Sequence, residues 1–278
     1  RQPVKDSLMA AMRSSTSGVP HFTAICAAEI AAVELPYNEW PQFVPALMEN
    51  VTSQQSEEPV KLASLECLGY AAERIAEVEE MMEVPPLAVT TVDSMLTTIV
   101  DGVQPTRSDK MRFNALQALK NSLAFVKKNM QVKSERDFIM NAICEATQSQ
   151  SLQVRELAYS CLDSIADLYY DKLPDYMTVI FKLTTEAIKG DPEEKVQMAA
   201  IEFWSTLAYT EQILLDEELA CREDGTALDR PACPQYVKAA MESLVPILLT
   251  TLSKQDEDAD DNELDLQSHG ASCIEIIS

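Results

Sequence analysis

The residues of this 278-residue chain that could do chemistry are 2 histidines, 7 cysteines and 45 carboxylates. Cys26, Cys67, Cys144, Cys161, Cys221, Cys233 and Cys273 form no CxxC pair. Their odd number closes no disulfide set, so they read as buried thiols of a reducing compartment. His21 and His269 stand in unrelated segments. No HExxH, Gly-rich phosphate loop or GxSxG brings a nucleophile, a base or a phosphate cradle together. The acidic pairs Glu79-Glu80 and Glu217-Glu218 have nothing beside them to tune a pKa and read as solvated helix ends. The 12 methionines read as core filler, with no metal site among them. The expectation is a protein without catalysis, cofactor or metal.

What the chain does concentrate is negative charge. "SKQDEDADDNELD", Ser253 to Asp265, carries Asp256, Glu257, Asp258, Asp260, Asp261, Glu263 and Asp265. It lies between the apolar runs "YVKAAMESLVPILLTTL" and "ASCIEIIS". Clustered carboxylates steer a basic partner and form charge-assisted bonds to Lys and Arg. From the residues alone, a solvated connection between helices is an equal reading. The formal net charge is −23. That argues against direct nucleic-acid binding, because phosphate would be repelled. It favours basic partners, or serves solubility alone.

These groups are carried by helices. Only 6 glycines occur, and Ala, Leu, Met, Glu, Lys and Gln are abundant. Apolar residues at i, i+3, i+4 and i+7 predict helices near 4–13, 17–33, 38–53, 58–75, 87–102, 108–128, 134–149, 151–168, 173–189, 193–214, 232–253 and 266–278. The breaks carry Pro36, Pro85-Pro86 and Gly190-Asp191-Pro192. Asn38 is expected as an N-cap with Pro41 in the first turn, and Pro174 opens another helix. No apolar stretch approaches the roughly 18–20 residues of a membrane span, and no signal peptide opens the chain. The abrupt start and end read as an excerpt of a longer protein.

Four helices share an entry signature: "EEPVKLASLECLGYAAERI", "SDKMRFNALQALKNSLAFV", "SLQVRELAYSCLDSIADLY" and "EEKVQMAAIEFWSTLAYTE". Each places an apolar residue before a long polar or basic one: Val60-Lys61, Met111-Arg112, Val154-Arg155 and Val196-Gln197. The anchors are spaced 51, 43 and 42 residues apart. Two-helix units of about this period are the mark of HEAT or armadillo arrays. One pair cannot bury its apolar face alone, so neighbours stack. Small Ala and Ser residues permit close helix approach, and each basic anchor is expected to meet an acid of the neighbouring repeat. The fold class expected is an all-α HEAT-repeat superhelical solenoid of about six helix pairs. The whole chain, 1–278, forms one array, with 254–265 as an acidic loop inside a repeat.

Several segments exceed a generic repeat. "ICAAEIAAVELPYNEWPQFVPALMENVT", "ASLECLGYAAERI", "SERDFIMNAICEATQS", "ADLYYDKLPDYM", "IEFWSTLA" and "LVPILLTTLSKQDEDADD" resemble, in order, the N-terminal third of the importin-β family of nuclear import karyopherins. The resemblance implies a receptor that carries cargo through the nuclear pore. Its implied partners are Ran-GTP, FG-repeat nucleoporins, and importin-α with its basic importin-β-binding segment, or basic cargo. It implies a monomer shuttling between cytoplasm and nucleus, without membrane insertion. Another karyopherin or a phosphatase-type HEAT scaffold is the alternative, against which the long acidic insertion speaks.

The resemblance also implies sites. The acidic loop, Asp256, Glu257, Asp258, Asp260, Asp261 and Glu263, would touch Ran and the adaptor. Leu264 stands where the family usually has Trp, so an aromatic stack on a basic side chain is missing there. Phenylalanines of FG repeats would enter a groove lined by Leu96, Thr97, Val100, Glu135, Phe138 and Ile139. Val100 is smaller than the family's usual Ile. A comparable groove one repeat along would use Tyr176 and Leu183. Glu202 matches an acidic position facing Ran, while Tyr209 stands where another acid is common. Glu29, Glu66 and Glu73 are weaker candidates for the Ran face. Trp204 reads as inter-repeat packing.

Overall fold

The computed structural model describes residues 1–14, 16, 18–253 and 265–277. Among them thirteen α-helices and no strand occur. The helices are α1 (Gln2–Ala11), α2 (Val19–Glu34), α3 (Phe43–Thr52), α4 (Glu58–Met81), α5 (Val89–Val103), α6 (Asp109–Ser122), α7 (Lys127–Gln131), α8 (Lys133–Ala146), α9 (Leu152–Leu168), α10 (Met177–Gly190), α11 (Glu194–Asp224), α12 (Tyr236–Leu252) and α13 (Leu266–Ile277). A 3-10 helix, Tyr170–Asp175, precedes α10. The chain divides into two compact units, Arg1–Leu157 and Ala158–Ser278.

In the first unit α4 is the central element, packed on α2, α3 and α6, and α5 packs on α6. The small-residue faces read from the sequence are what bring these helices together. Ala24, Ala27, Ala28 and Ala31 of α2 and Ala71 and Ala72 of α4 are fully buried. A Cβ placed on Gly69 would lie 2.6 Å from the Ala118 Cα of α6, and one on Gly102 would lie 2.7 Å from the Ala115 Cβ. Both glycines are therefore there for backbone approach, and any larger residue would push the helices apart.

The repeated anchor has a shared function that differs in part from the expected ladder of acids. Arg112 is buried. Its Nε donates to the Val103 carbonyl at 2.9 Å, its Nη1 to Ser149 Oγ at 3.1 Å, and its Nη2 to Glu145 at 2.6 Å. The Glu145 contact is the expected pairing. Arg155 Nη1 donates to the carbonyls of Ser149 and Gln150, and Gln197 Nε2 donates to the carbonyl of Asp191. In all three cases the anchor satisfies a carbonyl left open at the end of the preceding helix. Gln can replace Arg in that task, which explains why the fourth anchor carries no charge. Lys61 makes no such side-chain bond among the described residues.

In the second unit α10 packs on α11 and α12, and α13 packs on both α11 and α12. Trp204 is fully buried between edge-on Phe181 and Phe203. Its indole Nε1 donates to Thr184 Oγ1 at 3.1 Å. It is a packing residue, and these contacts lie within the α10–α11 pair, whereas the sequence reading places it between repeats.

Several boundaries differ from the apolar pattern. Asn38 has φ 55° and caps no helix, and α3 begins only at Phe43, so Pro41 precedes it. The region expected as one helix over 108–128 breaks after Ser122 and resumes as α7. Helix α4 runs on to Met81 and α11 to Asp224, beyond where the apolar stripe stops. Their extensions, "AEVEEM" and "LDEELACRED", are rich in good helix formers. Helix α11 ends where Gly225 turns left-handed at φ 65°.

Candidate functional site

The face between α5 and α8 holds the six residues expected to form the first groove. The two helices pack directly. Val100 and Ile139 have no exposed surface and Leu96 has almost none, so these three belong to the interhelix core. The i, i+4 spacing that places them on one face also turns that face towards the neighbouring helix. Thr97 and Phe138 remain exposed, Phe138 at 42 %, with Glu135 half-buried beside them. Glu135 accepts a 2.8 Å bond from Asn129 Nδ2. The surface offered is a strip made of the Phe138 ring and Thr97 with the Glu135 carboxylate.

The α2–α4 face gathers the three glutamates proposed as weaker candidates. Glu66 lies 2.5 Å from His21 Nδ1 and accepts from the Tyr70 hydroxyl at 3.3 Å. Burial pushes the Tyr70 phenol up, and the charges of Glu66 and Glu73 add to that shift. Glu29 lies 2.9 Å from Arg74 Nε, an ion pair without hydrogen-bond geometry, and Arg74 also binds Glu77. Phe22 is exposed at 67 % beside His21, the two rings edge to face at 5.2 Å. The result is an acidic face with internal partners for two of its glutamates. A basic ligand would have to compete with His21 and Arg74. The pairing of His21 with Glu66 spans forty-five positions, and no local pattern announced it.

In the second unit Glu202 is exposed, 4.0 Å from His269 Nε2. Tyr209 is exposed two turns further along α11. Tyr176 is half-buried at the N-cap of α10. Leu183, on that helix, is largely buried, and its carbonyl accepts from the Tyr159 hydroxyl at 2.9 Å.

Sequence reasoning missed a buried carboxylate cluster on α11. Glu218, read as part of a solvated pair, is buried. Its Oε1 accepts from the Cys233 amide at 2.5 Å and from Arg230 Nη1 at 3.2 Å. That backbone bond, followed by Arg230, holds the Glu218 carboxyl below its usual range. One turn pair earlier, Glu211 is 5 % exposed. It accepts from the Tyr170 hydroxyl at 2.9 Å and from the Tyr236 amide at 2.5 Å, the first amide of α12. Burial raises the Glu211 carboxyl despite these bonds, and burial also raises the Tyr170 phenol. The carboxylates thus fasten the α11–α12 connection. Their seven-residue spacing on one helix face was visible in the sequence, but nothing local showed that a loop covers it.

The acidic-loop residues Asp256, Glu257, Asp258, Asp260, Asp261, Glu263 and Leu264 lie outside the described residues. Asp265, the last acid of the run, is described. Its Oδ1 accepts from the Ser268 amide at 2.7 Å and so caps α13. Among the described residues no group of three His, Cys, Asp or Glu side chains could hold a metal ion. No helix among the described residues is long and apolar enough to cross a membrane.

No family model matches the chain. It is similar to importin subunit beta-1 of Arabidopsis thaliana, 37 % identical over 255 residues, which are 90 % of this chain and 28 % of that protein. It is 33 % identical to importin subunit beta-1 of Schizosaccharomyces pombe over 100 % of this chain and 31 % of that protein. Among solved structures, yeast importin-β (Kap95p) superposes with a TM-score of 0.87 at 31 % identity, covering 99 % of this chain and 31 % of that one. Kap95p in the structure where its binding induces the switch loops of RanGDP to adopt the GTP-bound conformation gives 0.86 at 30 %, over 98 % and 30 %. Kap95 in complex with Nup1 gives 0.84 at 30 %, over the same shares. The chain therefore resembles importin-β along essentially its whole length, with the all-α repeat fold of those structures. It spans less than a third of the curated relatives it matches.

Proposed function

We propose that this chain is the binding segment of an importin-β-type nuclear transport receptor, working by stoichiometric association without catalysis. The observation that carries the reading is its similarity, over at least nine-tenths of its length, to importin subunit beta-1 and to Kap95p. Kap95p has been seen with RanGDP and with Nup1. In this reading Ran-GTP meets the acidic surfaces, namely Glu202, the α2–α4 glutamates and the loop at 254–265. Importin-α or basic cargo competes for the same charge. FG-repeat nucleoporins take the α5–α8 strip, and a second FG contact uses Tyr176 and Leu183. Weak, repeated contacts of that kind exchange quickly, as passage through a dense FG medium requires. The protein would shuttle between cytoplasm and nucleus as a monomer.

The FG contact is tested by titrating a labelled FG-repeat peptide into the wild-type chain and into Phe138→Ala. Phe138 is exposed, so truncating it leaves the core intact. The expected result is affinity lower by about fivefold to tenfold, the loss of one partly buried aromatic contact. Unchanged affinity, with helicity retained, would remove the α5–α8 strip from the receptor's surface.

A further inference from the structure

We infer that the cleft bounded by the end of α4, the 82–88 connection, helix α5, the 123–126 connection and helix α7 docks a peptide in which one large aliphatic side chain is flanked by lysine or arginine. The cleft has a volume of about 480 Å³, within the range of sites that hold small ligands or anchoring side chains. Its floor is apolar: Leu87, Val92 and Phe125, which pack on the Ala32–Ile75 core of the first unit. Val89, on the lip, is 56 % exposed. A floor of this kind gains most from one aliphatic group that fills it.

The rim supplies the selection. Glu79, Glu80, Asp93 and Glu135 border the cleft, against Lys127 and Lys128. Asn129 is buried, and its Nδ2 donates at 2.8 Å to both Asp93 Oδ1 and Glu135 Oε2. One amide thus holds two carboxylates close together, a repulsive arrangement that a cation would relieve. None of the four carboxylates meets a cationic side chain among the described residues. Four acids against two lysines, on a chain of net charge −23, disfavour an acidic or neutral occupant and attract a basic one. The cleft shares only Glu135 with the α5–α8 strip, so the inference goes beyond the receptor reading and does not rest on it.

The test is fluorescence anisotropy on the 278-residue chain with a short labelled peptide carrying one leucine between lysines. A Leu→Ser version and an FG peptide serve as alternatives. Val89→Gln and the double variant Glu79→Lys/Glu80→Lys alter exposed positions only, and circular dichroism checks their helicity. The leucine peptide is expected to bind, the Leu→Ser peptide about tenfold more weakly, and each variant about tenfold more weakly, with a flatter salt dependence in the double variant. No binding by the leucine peptide would overturn the inference. Equal binding of the Leu→Ser peptide would reduce the effect to bulk charge attraction and overturn it too. So would affinity unchanged in either variant, or tighter binding of the FG peptide that Val89→Gln abolishes.

Discussion

At the scale of single residues, the clearest energetic tension lies at Glu211. Its carboxyl is raised above the ordinary value of 4.5 by burial, although Tyr170 and the first amides of α12 all donate to it. A raised carboxyl binds its proton more tightly in the folded state. Ionised Glu211 therefore costs stability in full above its folded pKa, and the cost vanishes as pH falls to the unfolded value. Glu211→Gln removes this titration. The wild type should gain stability relative to Glu211→Gln as pH is lowered from above the raised pKa towards about 4.5, read from urea midpoints across a pH series. A constant difference between the two proteins would contradict this. Glu218 behaves oppositely. Its lowered carboxyl contributes stability above the ordinary value, and that contribution disappears as pH falls through the lowered pKa. Neither residue was distinguishable from a solvated acid in the sequence. What separates them is the covering loop with Arg230 and Cys233, and loop placement leaves no periodic trace.

At the scale of helices, what was legible is what repeats. Apolar spacing located every long helix, because a helix that buries one stripe must show a 3.6-residue period. The anchors Arg112, Arg155 and Gln197 were found by their period, and their common carbonyl-satisfying role explains why they recur. Helix ends were legible only where a breaker acts. The extensions of α4 and α11 past their apolar stripes combine local propensity with single tertiary contacts, Val78 on the Ala32–Ile75 core and Glu218 on Arg230 and Cys233, which leave no periodic stripe to follow. The groove residues Val100 and Ile139 show the same limit from the other side. Apolar spacing identifies a face but cannot say whether a neighbouring helix or a ligand covers it. Close approach of α4 and α6 at Gly69 gives an element-scale prediction. Gly69→Ala places a methyl group 2.6 Å from the Ala118 Cα, and the backbones must separate. Despite the better helix propensity of Ala, a destabilisation of about 1–3 kcal/mol is expected in urea unfolding followed by circular dichroism. Neutral or increased stability would mean that the two helices can slide apart freely.

For the whole molecule, charge is the property that composition reveals most directly, and partners are the property it reveals least. A net charge of −23 predicts attraction to basic surfaces that weakens with salt, but it names none of them. The wording "FIMNAICEATQ" and "IEFWS" carries the resemblance to importin-β, and the likeness to importin subunit beta-1 runs along the chain. Neutralising Asp256, Glu257, Asp258, Asp260 and Asp261 together should weaken binding to Ran-GTP or to the basic adaptor segment and flatten its salt dependence. Unchanged affinity and salt slope for both partners would leave the run as a solvated connection. The most direct test of the receptor reading is a titration of this chain against Ran loaded with GTP and, separately, with GDP. A marked preference for the GTP form is predicted. Equal affinity for the two forms, or no binding of either by folded protein, would contradict the assignment of Ran recognition to this segment.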